Sequence, residues 1–183
     1  MAHLDFDRYL VDRSTLTPTD YQSQNTPITK LLLTALLSIV DHNLVRFIDS
    51  GICLREIQSF TEYTCDHLSI QAMAGKHNIH VGLCGDKKGI LHMANVFAHD
   101  DYDTLTEDSY DAIREFINCI TGMFVGELAE ANVREELLLP SSYKEVTLRS
   151  DCLFVIPIHW HTHSLNLIIS IDSPIEFIIK EDF

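Results

Sequence analysis

The sequence predicts one α+β domain, built on a mainly antiparallel β-sheet with two long helices packed on one face. Two long segments, 28–49 and 107–131, have apolar residues at helical spacing. Strand-like segments outnumber them and mostly follow one another directly, without the crossover helices that a parallel sheet requires. The length of 183 residues and the apolar content of 46% fit a single domain with a real core. We expect this domain to span residues 26–183, after an N-terminal extension of residues 1–25.

The first element of the domain is expected to be a core helix over residues 28–49. Thr26 is a suitable N-cap, and Pro27 occupies the first helical position, where its missing N–H costs nothing. The apolar residues of the segment keep helical spacing throughout. Gly51 is expected to end the helix in a left-handed cap.

Four strands are predicted after this helix, at 54–63, 68–74, 78–84 and 89–96. The last two are joined by residues 85–89, GDKKG, whose glycines and lysines resemble a phosphate loop. The GxxxxGK[ST] order is missing, however, and the segment enters a predicted strand, so we expect a tight hairpin there. Five further strands are predicted beyond the central helix, at 135–139, 144–148, 152–160, 165–171 and 175–179.

The central helix, predicted over 107–131 with Thr106 as its N-cap, has two distinct sides. One side is an apolar stripe that must face the core: Ile113, Phe116, Ile117, Ile120, Phe124 and Leu128. The other side carries four residues at intervals of four, three and four: Asp111, Glu115, Asn118 and Gly122. At roughly 100° per residue they fall within about 60° of one another. We call these four residues the ridge, and we expect Glu115 and Asn118 to face solvent.

The ridge places a carboxylate and a carboxamide one helical turn apart. An amide cannot act as an acid or a base, but it can hold a water molecule or a substrate oxygen by donating and accepting hydrogen bonds at once. Surface helices often carry Glu and Asn without any function. Asn118 is nevertheless a poor helix former, and Gly122 costs about 1 kcal/mol relative to alanine, which indicates that something approaches the backbone closely there.

Composition narrows the class of protein. A net charge of −14 argues against nucleic acid or an anionic membrane as a partner. Five scattered cysteines without a CxxC pair favour a reducing compartment. The charged N-terminus lacks the apolar stretch of a signal peptide, and the longest largely apolar run, residues 31–40, is half of what a bilayer requires. We therefore expect a soluble, cytoplasmic protein.

Two other candidate sites have weaker support. His159, His161 and His163 alternate along a predicted strand, where residues two apart share a face, and strand histidines bind zinc when a carboxylate or thiolate joins them. The segment supplies no such ligand and lies near a probable hairpin tip, so we expect no required metal. A nucleophilic mechanism is disfavoured because there is no GxSxG, and Cys119 is expected to be a small core filler on the helix flank.

The ridge and its flanks resemble the CheC/CheX/FliY family of chemotaxis phosphatases. The family's Asp-x3-Glu-x2-Asn signature with a distal proline is similar to Asp111, Glu115, Asn118 and Pro140, and the likeness covers roughly residues 52–180. Between Asn118 and Pro140 lie 21 residues, about one fewer than the usual pattern. The helix at 28–49 lacks the second E-x-x-N of two-site members. The chain is therefore more similar to the single-site CheX type.

The resemblance implies an enzyme that hydrolyses the aspartyl phosphate of a CheY-like response regulator. It implies that Asn118 orients the attacking water, that Glu115 pairs with the regulator's active-site lysine, and that Asp111, Gly122 and Pro140 support the site. It implies no cofactor of the chain's own, because the regulator supplies Mg²⁺, and it makes a homodimer an expectation. Two alternatives stay open: an adaptor that binds the regulator without turnover, and a metal-dependent hydrolase built on the histidine strand.

Overall fold

A computed structural model describes residues 27–179 and confirms the α+β class. Its helices are α1 (Pro27–Phe47), α2 (Lys87–Ala98) and α3 (Glu107–Glu130). Its strands are β1 (Cys53–Leu54), β2 (Gln58–Gly75), β3 (Asn78–Gly85), β4 (Glu135–Leu137), β5 (Ser141–Trp160), β6 (His163–Ile171) and β7 (Glu176–Ile179). The N-terminal extension predicted at residues 1–25 lies outside the described residues, as do the predicted N-cap Thr26 and residues 180–183.

The sheet is antiparallel at every pairing of the described strands and is organised around two long strands, β2 and β5. The order is β1-β5-β6-β3-β2-β4, and β7 adds to β5. Because β2 also pairs with β5, the four strands β2, β3, β6 and β5 form a closed circuit of pairings. Alternate residues of β2 therefore point to two different cores.

The two cores lie on opposite faces of the strands. The larger core joins the sheet to the helices and contains most of the apolar stripe of α3. The smaller core packs between strands and includes Cys65, Leu68 and Ile70 of β2. Since side chains alternate along a strand, Ser69, Gln71 and Met73 of β2 share the face that looks toward the helices.

Helix α1 satisfies the length and composition of a membrane span, the only helix within residues 27–179 that does so. A core helix passes the same test, and half of the apolar window of α1 is buried against the rest of the structure. Leu36 and Val40 are completely buried in the larger core. The helix ends at Phe47, and the predicted left-handed cap at Gly51 is wrong: its N–H is bound instead by the Asp49 carboxylate at 2.6 Å.

The strand predicted at 89–96 is wrong, because residues Lys87–Ala98 form α2. The hairpin predicted at 85–89 is also wrong, since Asp86 is the N-cap of this helix and accepts a hydrogen bond from the Gly89 N–H at 2.7 Å. Long-range packing holds the helix in place: the Phe97 ring contacts Phe47 of α1 and Phe116 of α3 in edge-to-face geometry. Residues 27–179 thus contain a third, shorter helix beside the two long ones that were predicted.

Several predicted strands are longer than expected. Residues 54–63 and 68–74 belong largely to one continuous strand, β2, with an irregularity between Phe60 and Glu62. The segments 144–148 and 152–160 are likewise parts of β5. Both predicted breaks, at 64–67 and 149–151, lie between residues that pack in the smaller core, so a local loss of apolar alternation did not mark a loop.

The N-cap of α2 gives a test of this corrected element. Replacing Asp86 with alanine removes the acceptor of the Gly89 N–H and should lower the free energy of unfolding by about 1 kcal/mol. Asp86→Asn, which keeps a capping oxygen, is the matched control and should cost much less. Urea denaturation of both variants decides, and equal stability of the alanine variant and the wild type would contradict the helix start.

Candidate functional site

The ridge lies on the outer side of α3, as predicted. Ile117 and Ile120 are buried in the larger core, and Glu115 is exposed. Asn118 is less exposed than predicted, because its side chain leans toward the sheet and is half-buried there. The reason is a hydrogen bond to β2: Gln71 donates from Nε2 to Asn118 Oδ1 at 3.1 Å.

The carboxamide of Asn118 sits between an amide and a carboxylate. On its inner side it accepts the bond from Gln71, and on its outer side Nδ2 donates to Glu115 Oε2 over 3.5 Å. The Asn118 oxygen keeps a second lone pair, and Nδ2 keeps a second N–H. A side chain of this kind can hold a water molecule while its own orientation stays fixed.

Gln71 was missed by sequence reasoning. It is only 2% exposed, and it lies in the larger core's face of β2. Its Nε2 also donates to the backbone carbonyl of Leu138 at 2.8 Å, and its Oε1 accepts from the Thr121 hydroxyl at 2.6 Å. The signal available in the sequence was a glutamine isolated within an apolar strand, because a buried amide must find hydrogen-bond partners.

Asp111 is exposed and pairs with Arg114, whose guanidinium also contacts Glu107. Arg114 itself is mostly covered, at 16% exposed, and donates to the Ser142 hydroxyl of β5 at 3.1 Å. The Asp111 carboxylate therefore helps to tie the start of α3 to the sheet.

Gly122 is exposed, and a Cβ added to it would meet no atom within 4 Å. The same is true of Gly126, one turn further along the helix, which the sequence reasoning did not single out. Internal packing does not require glycine at either position. The two glycines leave the ridge smooth beyond Asn118.

Pro140 lies half-buried at the start of β5, after a short segment that runs beside the ridge. Leu138 of that segment is bonded at both backbone groups, donating to the Ala72 carbonyl and accepting from Gln71. The next residue, Leu139, is 91% exposed. The structure thus connects Asn118 to the Pro140 segment through Gln71.

Cys119 is half-buried and is not the core filler that was predicted. Its thiol points to Glu115 Oε1 at 3.7 Å. Burial, together with the nearby Glu115 carboxylate, raises the pKa of the Cys119 thiol. A thiol that stays protonated at neutral pH is a poor nucleophile.

The GDKKG segment contains the start of helix α2, contrary to the prediction, yet it is not shaped as a phosphate loop. The Asp86 carboxylate already occupies the N-terminus of α2, where a phosphate would bind. A Cβ at Gly85 would lie 2.6 Å from the Ser164 carbonyl oxygen, so this glycine is explained by close packing against β6.

The three histidines predicted to line one strand face do not do so. His159 lies on β5, but the strand ends at Trp160 and the chain turns at His161, which has a φ of 52°. His163 begins β6 and contacts the His92 ring of α2, which also stacks on Trp160 at 4.5 Å. Within residues 27–179, no group of three or more His, Cys, Asp or Glu side chains could hold a metal ion.

We therefore predict that the protein needs no bound metal for its stability. After chelation and buffer exchange, elemental analysis should find no stoichiometric zinc or nickel, and the melting temperature should be unchanged. The reason is that the described residues contain no group of three or more His, Cys, Asp or Glu side chains that could hold an ion. Stoichiometric zinc, with a loss of stability on its removal, would contradict this.

Comparison with known proteins supports the family suggested by the ridge. The family described as chemotaxis phosphatase CheX matches residues 68–159, half of the chain, a range that contains the ridge, Gln71 and Pro140. A search of curated protein sequences found no significant match.

Solved structures share the fold. A CheC-like superfamily protein from Shewanella sp. PV-4 is 13% identical, with a TM-score of 0.64 over 76% of this chain and 96% of that one. A chemotaxis protein CheX from Desulfovibrio desulfuricans is 16% identical, with a TM-score of 0.64 over 77% and 99%. A chain of the CheX-CheY-BeF3-Mg²⁺ complex from Borrelia burgdorferi is 14% identical, with a TM-score of 0.61 over 76% and 97%. The resemblance read from the motif is confirmed, and the chain belongs to the CheX family of chemotaxis phosphatases.

Proposed function

We propose that this chain hydrolyses the aspartyl phosphate of a CheY-like response regulator. The observation that carries the proposal is the pair on α3: an exposed carboxylate, Glu115, one turn from a carboxamide, Asn118, whose orientation is held from below by Gln71. Membership of the CheX family supports it. So does the similarity in fold to a CheX protein whose structure was solved with CheY, BeF3 and Mg²⁺.

Because an acyl phosphate is already activated, the phosphatase needs only to position the attacking water. A water oxygen forms a bond to phosphorus, the bond from phosphorus to the aspartyl oxygen breaks, and the aspartate leaves as a carboxylate. The proton lost by the water passes to the phosphate. The regulator's own Mg²⁺ would neutralise charge on the phosphoryl oxygens. The contribution of Asn118 is to hold the water in line, in the manner of the glutamine of small GTPases.

Glu115 has a different task, which is to hold the regulator in register. Its carboxylate is exposed, and none of the ion pairs within the described residues involves it. The neighbouring cation, Arg114, is occupied by Asp111 and Glu107. A lysine of the regulator would therefore find an uncompensated carboxylate beside Asn118.

The other two ridge residues and Pro140 would support docking. Asp111 orients the start of α3 through Arg114, Gly122 leaves clearance for the partner's backbone, and Pro140 ends the segment that Gln71 fastens beside the ridge. The strongly acidic chain, with a net charge of −14, suits a cytoplasmic protein partner rather than nucleic acid or an anionic membrane.

The central prediction concerns Asn118. Asn118→Ala should slow the assisted loss of phosphate by about 10²-fold, or roughly 2.7 kcal/mol of barrier, because the water is no longer oriented. The fold should persist, with an unfolding free energy within about 1 kcal/mol of the wild type, since alanine is the better helix former and offsets the lost bond from Gln71. Radiolabel decay of a phosphorylated regulator, with stability from urea denaturation, provides the measurement.

The matched control is Glu127→Ala, which removes an exposed side chain of the same helix away from the ridge and should leave the decay rate unchanged. If Asn118→Ala matched the wild type while the wild type accelerated decay, the active site would lie elsewhere. If the wild type bound the phosphorylated regulator stably without accelerating decay, the chain would be an adaptor.

Glu115→Ala should act chiefly on association. Its loss removes the partner of the regulator's lysine and should raise the half-saturating regulator concentration more than it lowers the maximal rate. The double variant of Glu115 and Asn118 should cost less than the sum of the single effects, because an unanchored Asn118 contributes little. Stopped-flow decay over a concentration series separates the two constants, and fully additive effects would show that the residues act independently.

A further inference from the structure

Gln71 is the buried polar group that lies directly beneath the ridge. It comes from the middle of β2, 47 residues before Asn118 in sequence, and only 2% of its surface is exposed. A primary amide in such a place is costly unless its groups are bonded. Both N–H groups and the carbonyl oxygen of the Gln71 amide are bonded. The N–H groups of Nε2 donate to Leu138 O and Asn118 Oδ1, and Oε1 accepts from the Thr121 hydroxyl.

These hydrogen bonds determine which end of the Gln71 amide, and which end of the Asn118 amide, is the oxygen and which is the nitrogen. The Leu138 group is a backbone carbonyl and can only accept, so the Gln71 atom 2.8 Å away must be the nitrogen. The opposite end of the amide then faces the Thr121 hydroxyl, which can donate to it. The second N–H of Gln71 points at Asn118, so the Asn118 atom that meets it must be the oxygen. Asn118 therefore presents Nδ2 outward, toward Glu115.

We propose that Gln71 is a positioning residue that fixes the carboxamide of Asn118 in one of its two orientations. This inference rests on the proposed phosphatase function. Without Gln71, no buried donor would hold the Asn118 oxygen on the inner side, and the amide could rotate out of this orientation. With Gln71, the rotamer and orientation of Asn118 are set before the regulator arrives, so less side-chain freedom is lost when the water is held.

A purely structural role for Gln71 makes a different prediction. Gln71 also joins the Leu138 segment to α3 through Thr121, so its loss will cost stability whatever it does for Asn118. A structural role alone would lower stability, or weaken association by loosening the Leu138 segment. If Gln71 positions Asn118, its loss should lower the maximal rate at saturating regulator and leave association unchanged, because Glu115 still binds the partner.

The test compares two substitutions. Gln71→Met, similar in size but without donors, should lower the maximal rate of phosphate loss by about 10-fold and leave the half-saturating regulator concentration unchanged. Gln71→Glu offers acceptors in place of donors when ionised and should be similarly slow at pH 8. Because burial raises the pKa of a carboxyl, this variant should regain a donor and part of its rate as the pH falls toward about 6. The pH profiles of the wild type and of Gln71→Met should not show this recovery.

The matched control is Ser170→Ala, which removes a buried hydroxyl from β6, outside the site, and should cost stability without changing the maximal rate. If the methionine variant fails to fold, the glutamate variant at two pH values carries the test alone. A maximal rate equal to the wild type in Gln71→Met, or a Gln71→Glu profile parallel to the wild type, would overturn the positioning role.

A second readout separates this inference from the proposed function. In the wild type, the ¹⁵N side-chain amide signals of Asn118 should be well dispersed, and they should move toward free-amide values in Gln71→Met. If the wild type fails to accelerate phosphate loss, the proposed function is wrong. The amide signals of Asn118 then test on their own whether Gln71 orients that side chain. Unchanged Asn118 signals in Gln71→Met would then overturn the orientation argument as well.

Discussion

The packing of α3 against the sheet is the constraint on which the rest of the structure depends. Its stripe of isoleucine and phenylalanine must be buried, and Ile113 and Phe124 are completely inaccessible. Burial of that stripe sets the rotation of the helix, so Glu115 and Gly122 are turned outward by the same packing that hides Ile117 and Ile120. The position of the ridge is therefore a consequence of core formation. At roughly 25 cal/mol per Å² of apolar surface, a rotated helix would lose far more than any ridge contact could return.

One polar contact is set within this apolar interface, and it connects the core to the ridge. Thr121, on the buried side of α3, meets Gln71 of β2, and Gln71 in turn meets Asn118 at the edge. A network of this kind is favourable only when every member is satisfied, and here each amide group of Gln71 has a partner. The chemistry proposed for the site needs no acid or base from the chain. In the proposed mechanism, an amide held in one orientation places the water molecule, and the hydrogen bond from the buried glutamine is what would hold it.

The predictable parts of the structure were those governed by local pattern. The α3 boundaries, its N-cap at Thr106 and the direction of the ridge all followed from apolar spacing and capping chemistry. The helix α2 did not, because its glycine-flanked, short apolar run is compatible with a strand, and the contacts that favour a helix come from Phe47 and Phe116, distant in sequence. The sequence shows Gln71 as an isolated polar residue in an apolar strand, but its partners are known only once β2 lies under α3. The half-burial of Asn118 follows from that missed contact.

Binding and turnover, measured on the same pair of proteins, test the role of Asn118 most directly. Wild type and Asn118→Ala would each be titrated into a phosphorylated CheY-like regulator, with association followed by anisotropy and phosphate loss by single-turnover decay. Both proteins should bind with similar affinity, because Glu115 is intact, and only the wild type should accelerate decay. Loss of binding together with acceleration, or acceleration that survives the substitution, would contradict the role assigned to Asn118.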